Sequence, residues 1–167
     1  DSGYTNAAME RGKELEPHAR AAYEAHTGYL VMESGFLRMT DPQWVGCSLD
    51  GFISGLSKIV EIKCPSTATH IEYLFEREPP QKYFYQMQWQ MACAMATFCD
   101  WVSYDPRMPE NLRLLIVRIE RDDDTIEADE ILHRLGEPGL IFEYRGAEIY
   151  ENAPVDVVES QAGSREV

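Results

Sequence analysis

No apolar run in these 167 residues approaches the roughly 20 that a helix needs to cross a bilayer, and no basic-plus-apolar stretch opens the chain, so nothing signals secretion. There is no glycine-rich phosphate loop, no G-x-S-x-G elbow and no H-E-x-x-H pair. Cysteine is scarce: Cys47, Cys64, Cys93 and Cys99 occur with no C-x-x-C spacing, so no zinc or redox motif is indicated. A four-cysteine iron–sulfur site stays open in principle, but buried free thiols in a cytoplasmic protein are the expected state. His18, His26, His70 and His133 are scattered and are expected to be structural or exposed.

Positive charge is also in short supply. Fifteen Lys and Arg face 29 Asp and Glu, a net charge of −14. Taken alone, that argues against a nucleic-acid partner. The imbalance is uneven, however: residues 1–119 hold 11 basic and 15 acidic residues, whereas 120–167 hold 4 and 14. The acidity belongs mostly to the C-terminal third. Carboxylates that bind a metal also count as negative in this arithmetic, although the bound cation reverses the local field.

The length predicts one domain with a sizeable core, over residues 1–151, followed by a flexible tail from about Asn152. The sequence opens at Asp1 rather than Met, and an earlier N-terminal piece is expected to have been removed. Residues 6–26 read as a helix, with a kink or a helix start near Glu16 because Pro17 follows. Strands are expected in 29–40, broken at Ser34-Gly35, in 43–48 and 51–54 around Asp50-Gly51, and in 59–63, which Pro65 ends. Residues 67–77 and 124–134 read as helices, 101–104 and 112–119 as strands, and 140–150 as one or two more. The longest helix is expected over 81–98, largely buried, with a stripe of Phe84, Met87, Met91, Met95 and Phe98. The order predicts an α/β (α+β) protein with a central mixed sheet flanked by helices.

Residues 48–65 carry the most chemistry. Strand periodicity places Glu61 and Lys63 on one face, with Val60, Ile62 and Cys64 on the other, and the preceding turn can bring Asp50 alongside. Two hard carboxylates suit Mg²⁺, with Mn²⁺ as a substitute. Such an ion lowers the pKa of a bound water and stabilises charge on a phosphate. Lys63 would orient that water or neutralise the developing charge. The plainer alternative is a Glu61–Lys63 salt bridge facing solvent. Glu16, with Glu14 as its competitor, sits at the proline-marked break of the first helix. Gln86, Gln88 and Gln90 lie in a nearly apolar helix and need partners if buried, Gln86 and Gln90 sharing a face; one is expected to bond the attacking water or a phosphate oxygen, unless one or two are simply exposed. Arg107, in a proline-bounded loop, is expected either to meet a phosphate or to pair with Asp105.

Several blocks then stand in order: Gly12-Lys13-x-x-Glu16-x-x-Ala19-Arg20, Cys47-Ser48-x-Asp50-Gly51, Glu61-x-Lys63-Cys64-Pro65, Gln86-x-Gln88, Tyr104-Asp105-Pro106-Arg107-Met108 and Arg118-Ile119-Glu120-Arg121-Asp122. Over residues 8–130 this set resembles the lambda-type exonuclease and viral alkaline exonuclease family. The resemblance implies a restriction-endonuclease-like PD-(D/E)xK core and a Mg²⁺-dependent enzyme that digests one strand of linear duplex DNA from the 5′ end. It also implies a homotrimeric ring, 3′ single strands passed to a single-strand annealing protein in phage recombination, and a bacterial or phage-encoded cytoplasmic setting. By position, Asp50, Glu61 and the carbonyl of Ile62 match the metal ligands, and Lys63 the lysine beside the nucleophilic water. Glu16 matches a glutamate that reaches the metal through water, Gln86 the helix glutamine, and Asp41 a further aspartate of unassigned role. Family members carry a helical segment ahead of the first block, with a basic residue for the 5′-phosphate, and a long C-terminal helix. This sequence starts after the former, and Gly136, Pro138 and Gly139 interrupt the latter. Two other outcomes are weighed against the exonuclease: a binding or assembly module whose acidic C-terminal third docks a basic protein, and a nuclease of the same core that nicks internally.

Overall fold

The computed structural model describes residues 2–38, 46–53 and 55–127, with the backbone alone for 2–8 and 127. Helix α1 (Ser2–Thr27) runs continuously through Pro17, so of the kink or helix start expected near Glu16, the start does not occur. Pro17 lies on the exposed side, where its ring meets solvent and its missing N–H costs only the bond to the Lys13 carbonyl. Strands β1 (Val31–Met32), β2 (Phe36–Arg38), β3 (Gly46–Ser48), β4 (Gly51–Ile53) and β5 (Lys58–Lys63) follow, then α2 (Thr67–Glu76), α3 (Gln81–Ala94), β6 (Phe98–Tyr104), β7 (Leu114–Glu120) and α4 (Asp123–Glu127). No helix among the described residues is long and apolar enough to cross a membrane.

The main sheet has the order β1-β4-β5-β6-β7, and β2 and β3 form a separate pair. β5 and β6 run parallel while the other pairings are antiparallel, giving the mixed sheet that was expected. α1 covers one face: Ala19 and Tyr23 pack on Val31, Ile53, Val60, Ile62 and Val102. The opposite face takes α3 and the β2–β3 pair, with Met87, Met91, Leu37, Ile59 and Trp101 in its core. Gly51 opens β4 because a Cβ there would collide with the Val31 side chain.

Three boundaries around the site differ from expectation. The long helix stops at Ala94, not Phe98: Met95 adopts a left-handed φ of 51° and its N–H turns back to Ala92 and Met91. Phe98 instead begins β6, which starts three residues earlier than predicted. β7 begins at Leu114, because Glu110–Leu112 form a 3-10 turn. Asp41, His133, most of the 124–134 helix, the 140–150 strands and the tail from Asn152 lie outside the described residues.

Candidate active site

β4 pairs with β5 only through Gly51↔Val60 and Phe52↔Ile59. Beyond Gly51 the strands part, and on that side of Ile62 β5 has no strand beside it among the described residues. Asp50 fills that gap: its Oδ2 accepts the Ile62 N–H at 2.7 Å. The N–H and C=O of a strand residue point to the same side, so the Ile62 carbonyl faces the same gap. Asp50 and this carbonyl thus face the same gap.

Glu61 projects toward α3 and is only 2% exposed. Its Oε1 accepts from Gln86 at 2.9 Å and lies 2.6 Å from Lys63 Nζ. Its Oε2 accepts from Gln90 at 2.8 Å. The Glu61–Lys63 ion pair therefore exists, but it is buried rather than solvent-facing. All three glutamines are buried, which sets aside the alternative that one or two are simply exposed. Gln86 and Gln90, one helical turn apart, meet Glu61. Gln88 points elsewhere, donating to the Glu120 carbonyl and accepting from the Asp122 N–H, and belongs to the scaffold. Gln90 also donates to the Ser48 carbonyl at 3.1 Å, so one amide ties Glu61 to the strand that leads into Asp50. Sequence reasoning placed Gln90 on the right face without assigning it this part; the i,i+4 spacing from Gln86 was the available signal.

Electrostatics follow from this crowding. Burial, together with the nearby Glu61 carboxylate, pushes the Asp50 carboxyl up to about 8. Burial works against the charge on Lys63, but Glu61 and Asp50 outweigh it and hold the ammonium above its ordinary range. Lys63 Nζ also lies 4.7 Å from the centre of the Tyr83 ring. Glu16 enters from α1 and lies between two clefts. One, of about 120 Å³, is lined by Gly12, Lys13, Ile62, Lys63 and Cys64; the other, of about 270 Å³, by Arg20, Ser34, Ser48 and Asp50. Arg20 holds Glu16 at 3.5 Å and also pairs with Glu33.

This donor set fits a hard divalent cation. A carboxylate whose ionisation is suppressed by burial and by a neighbouring carboxylate gains most from a bound cation, and a backbone oxygen faces the same gap. No three His, Cys, Asp or Glu side chains converge closely enough to hold a metal by themselves among the described residues. Waters would have to complete the shell, as Mg²⁺ prefers. Elsewhere, Arg107 pairs with Asp105, and His70 is buried between Ser103 Oγ at 2.7 Å and the Leu112 carbonyl at 2.8 Å, a structural clip. The thiols of Cys47, Cys93 and Cys99 are free and buried, and Cys64 is free and half-buried.

The family model described as the YqaJ-like viral recombinase domain matches residues 1–97. Among solved structures, an alkaline exonuclease (LHK-Exo) from Laribacter hongkongensis aligns with a TM-score of 0.72 at 43% identity, over 83% of this chain and 69% of that one. The same enzyme in complex with dAMP gives a TM-score of 0.72 at 43% identity, over 83% and 68%. A phage-related exonuclease from Haemophilus somnus 129PT, at a TM-score of 0.62 and 20% identity over 77% and 67%, bears on the fold alone. No curated protein matches the sequence.

Proposed function

From the premise that this chain belongs to the YqaJ-like viral recombinase domain family, we propose that it is a Mg²⁺-dependent exonuclease that digests one strand of linear duplex DNA from the 5′ end. The fold is restriction-endonuclease-like, and the chain is a nuclease of the alkaline exonuclease kind. The observation that carries the finer reading is the gap at the edge of β5, where Asp50, Glu61 and the Ile62 carbonyl gather beside Lys63.

Asp50, Glu61 and the Ile62 carbonyl are the groups that would hold the ion. Mg²⁺, when bound, supplies a water of lowered pKa and neutralises charge on the phosphate under attack. Lys63, kept protonated by its two carboxylate neighbours, orients that water and offsets negative charge developing on the phosphate. Gln86 spends its amide on Glu61, so it acts as a positioning residue rather than touching the substrate. Glu16, on the wall between the two clefts, is suited to order water beside the site. The 5′ polarity, a homotrimeric assembly and delivery of 3′ single strands to an annealing protein for phage recombination are supported by the ordered blocks shared with lambda-type exonucleases. The dAMP complex of the 43%-identical relative supports release of deoxynucleoside monophosphates.

The test is digestion of a 5′-phosphorylated linear duplex, with the label on one 5′ end or one 3′ end. With Mg²⁺ the 5′ label is expected to leave first, as a mononucleotide. EDTA or Asp50→Asn should abolish release. Equal activity in Asp50→Asn would overturn the assigned site, and first loss of the 3′ label would overturn the polarity.

A further inference from the structure

We propose that Arg107 and Arg11 form a second anion site, which takes a backbone phosphate of the substrate strand beside the one being cut; this rests on the nuclease reading above. β5 and β6 are parallel with Lys63 opposite Ser103. The segments that continue them, Cys64-Pro65 and Tyr104-Asp105, therefore emerge at the same end of the sheet as Lys63. Asp105 is fully buried there. It accepts from Thr67 Oγ1 at 2.6 Å, from the Arg107 N–H at 3.1 Å, and from Arg107 Nε and Nη2 at 2.8 and 2.9 Å. Arg11 reaches in from α1, donating to the Pro65 carbonyl at 2.9 Å with the same Nη2 that lies 3.9 Å from Asp105 Oδ1.

Two guanidiniums thus share one carboxylate, leaving a surplus positive charge beside Pro65, the neighbour of Cys64 in the cleft that Lys13 and Lys63 also line. Fastening the loop needs only Asp105, Thr67 and the Arg107 N–H. The side-on pairing uses the Nε–Nη2 edge of Arg107 and leaves Nη1 without a protein partner among the described residues, on a side chain that is 51% exposed. An arginine locked along one edge and open on the other has already lost most of the freedom that phosphate binding would cost it. It also presents the planar donor edge that phosphate oxygens accept. The site reads charge rather than base, so its ligand is a phosphodiester of any sequence.

The experiment measures binding of the full chain to a 5′-phosphorylated linear duplex in EDTA, so that nothing is cut, across a range of salt. Arg107→Gln is expected to weaken binding equally for unrelated sequences and to reduce the slope of log K against log salt by about 0.7–0.9, the loss of one phosphate contact. Arg11→Gln should do the same, and Arg77→Gln, on an exposed residue at the far end of α2, should leave the slope unchanged. Thermal melting of each variant separates binding from folding. Folded Arg107→Gln and Arg11→Gln with the wild-type salt slope would overturn the site and reduce the pair to a loop fastening, even where wild type digests DNA normally. Should wild type neither bind nor digest duplex, the nuclease reading itself falls, and this site falls with it.

Discussion

Three donors converge on one buried carboxylate at Glu61, and that convergence sets what each neighbour can do. A charged group taken out of water is costly unless it is fully hydrogen-bonded, and Gln86, Gln90 and Lys63 supply those bonds. Gln90 is the more constrained of the two amides, because its own Oε1 is buried with no donor among the described residues. A buried acceptor left unpaired costs about 1–3 kcal/mol, and a native structure keeps such a group where its partner atom is needed. Gln90→Leu should therefore lower kcat/KM for digestion by about 10–100-fold, the usual effect of removing an outer support of a metal site, along with some loss of melting temperature. Gln88→Leu should lower melting but leave the activity of the folded fraction intact; equal activity losses in the two variants would count against a positioning role for Gln90. Asp50 gives a second test. Its folded-state value of about 8 lies above the unfolded value of about 3.9, so between these pH values the folded state holds a proton that the unfolded state has released. The metal-free protein then loses stability as pH rises from about 4 to about 8. A cation that binds the ionised form reverses this, so Mg²⁺ should raise the melting temperature more at pH 8.5 than at pH 6. Asp50→Asn should remove the difference, and an equal Mg²⁺ effect at both pH values would sink the idea.

At the level of elements, much of the site could be read from the sequence because strand and helix periods act locally. The run Ile59–Lys63 alternates as a strand must, and Pro65 ends it, so Glu61 and Lys63 fall on one face in both the sequence and the structure. Where α3 ends was not legible. Met87, Met91 and Met95 continue at helical spacing to Phe98, and no glycine or proline interrupts them. The stop is a methionine held left-handed, a conformation that costs a non-glycine residue roughly 1–2 kcal/mol. It is offset by the bond from the Ala96 N–H to the Met91 carbonyl at 3.0 Å and by burial of Ala96. The burial of Gln88 was equally hidden. It depends on β7 and α4 covering the second flank of α3, a contact between segments 30 or more residues apart. The convergence of Asp50 on Ile62 depends on where β4 and β5 part, which the register decides and no local pattern announces. Pro17 marked the right place although no helix starts there: it stands beside Glu16 in the turn that walls the clefts.

Across the whole molecule, charge and shape point to the kind of DNA that can be cut. The net charge of −14 should repel nucleic acid, yet Lys13 and Lys63 line one cleft, and Arg11 and Arg107 meet at Asp105 next to it, at the same end of β5 and β6. A screened field acts over about 8–10 Å at ordinary salt, so a phosphate at the rim responds to this local group more than to the net charge of the whole chain. Two small clefts, of about 120 and 270 Å³, flank Glu16 beside the proposed site. The exonuclease proposed above begins where a strand ends. A covalently closed circular duplex should therefore resist digestion under conditions in which its linearised copy is consumed, and cutting it once should restore sensitivity. Gel analysis of the two forms over the same time course decides the matter. Closed circles opened as fast as linear DNA is degraded would mean that the site reaches phosphates inside an intact duplex, and the chain would then be an internally nicking nuclease rather than one that works from ends.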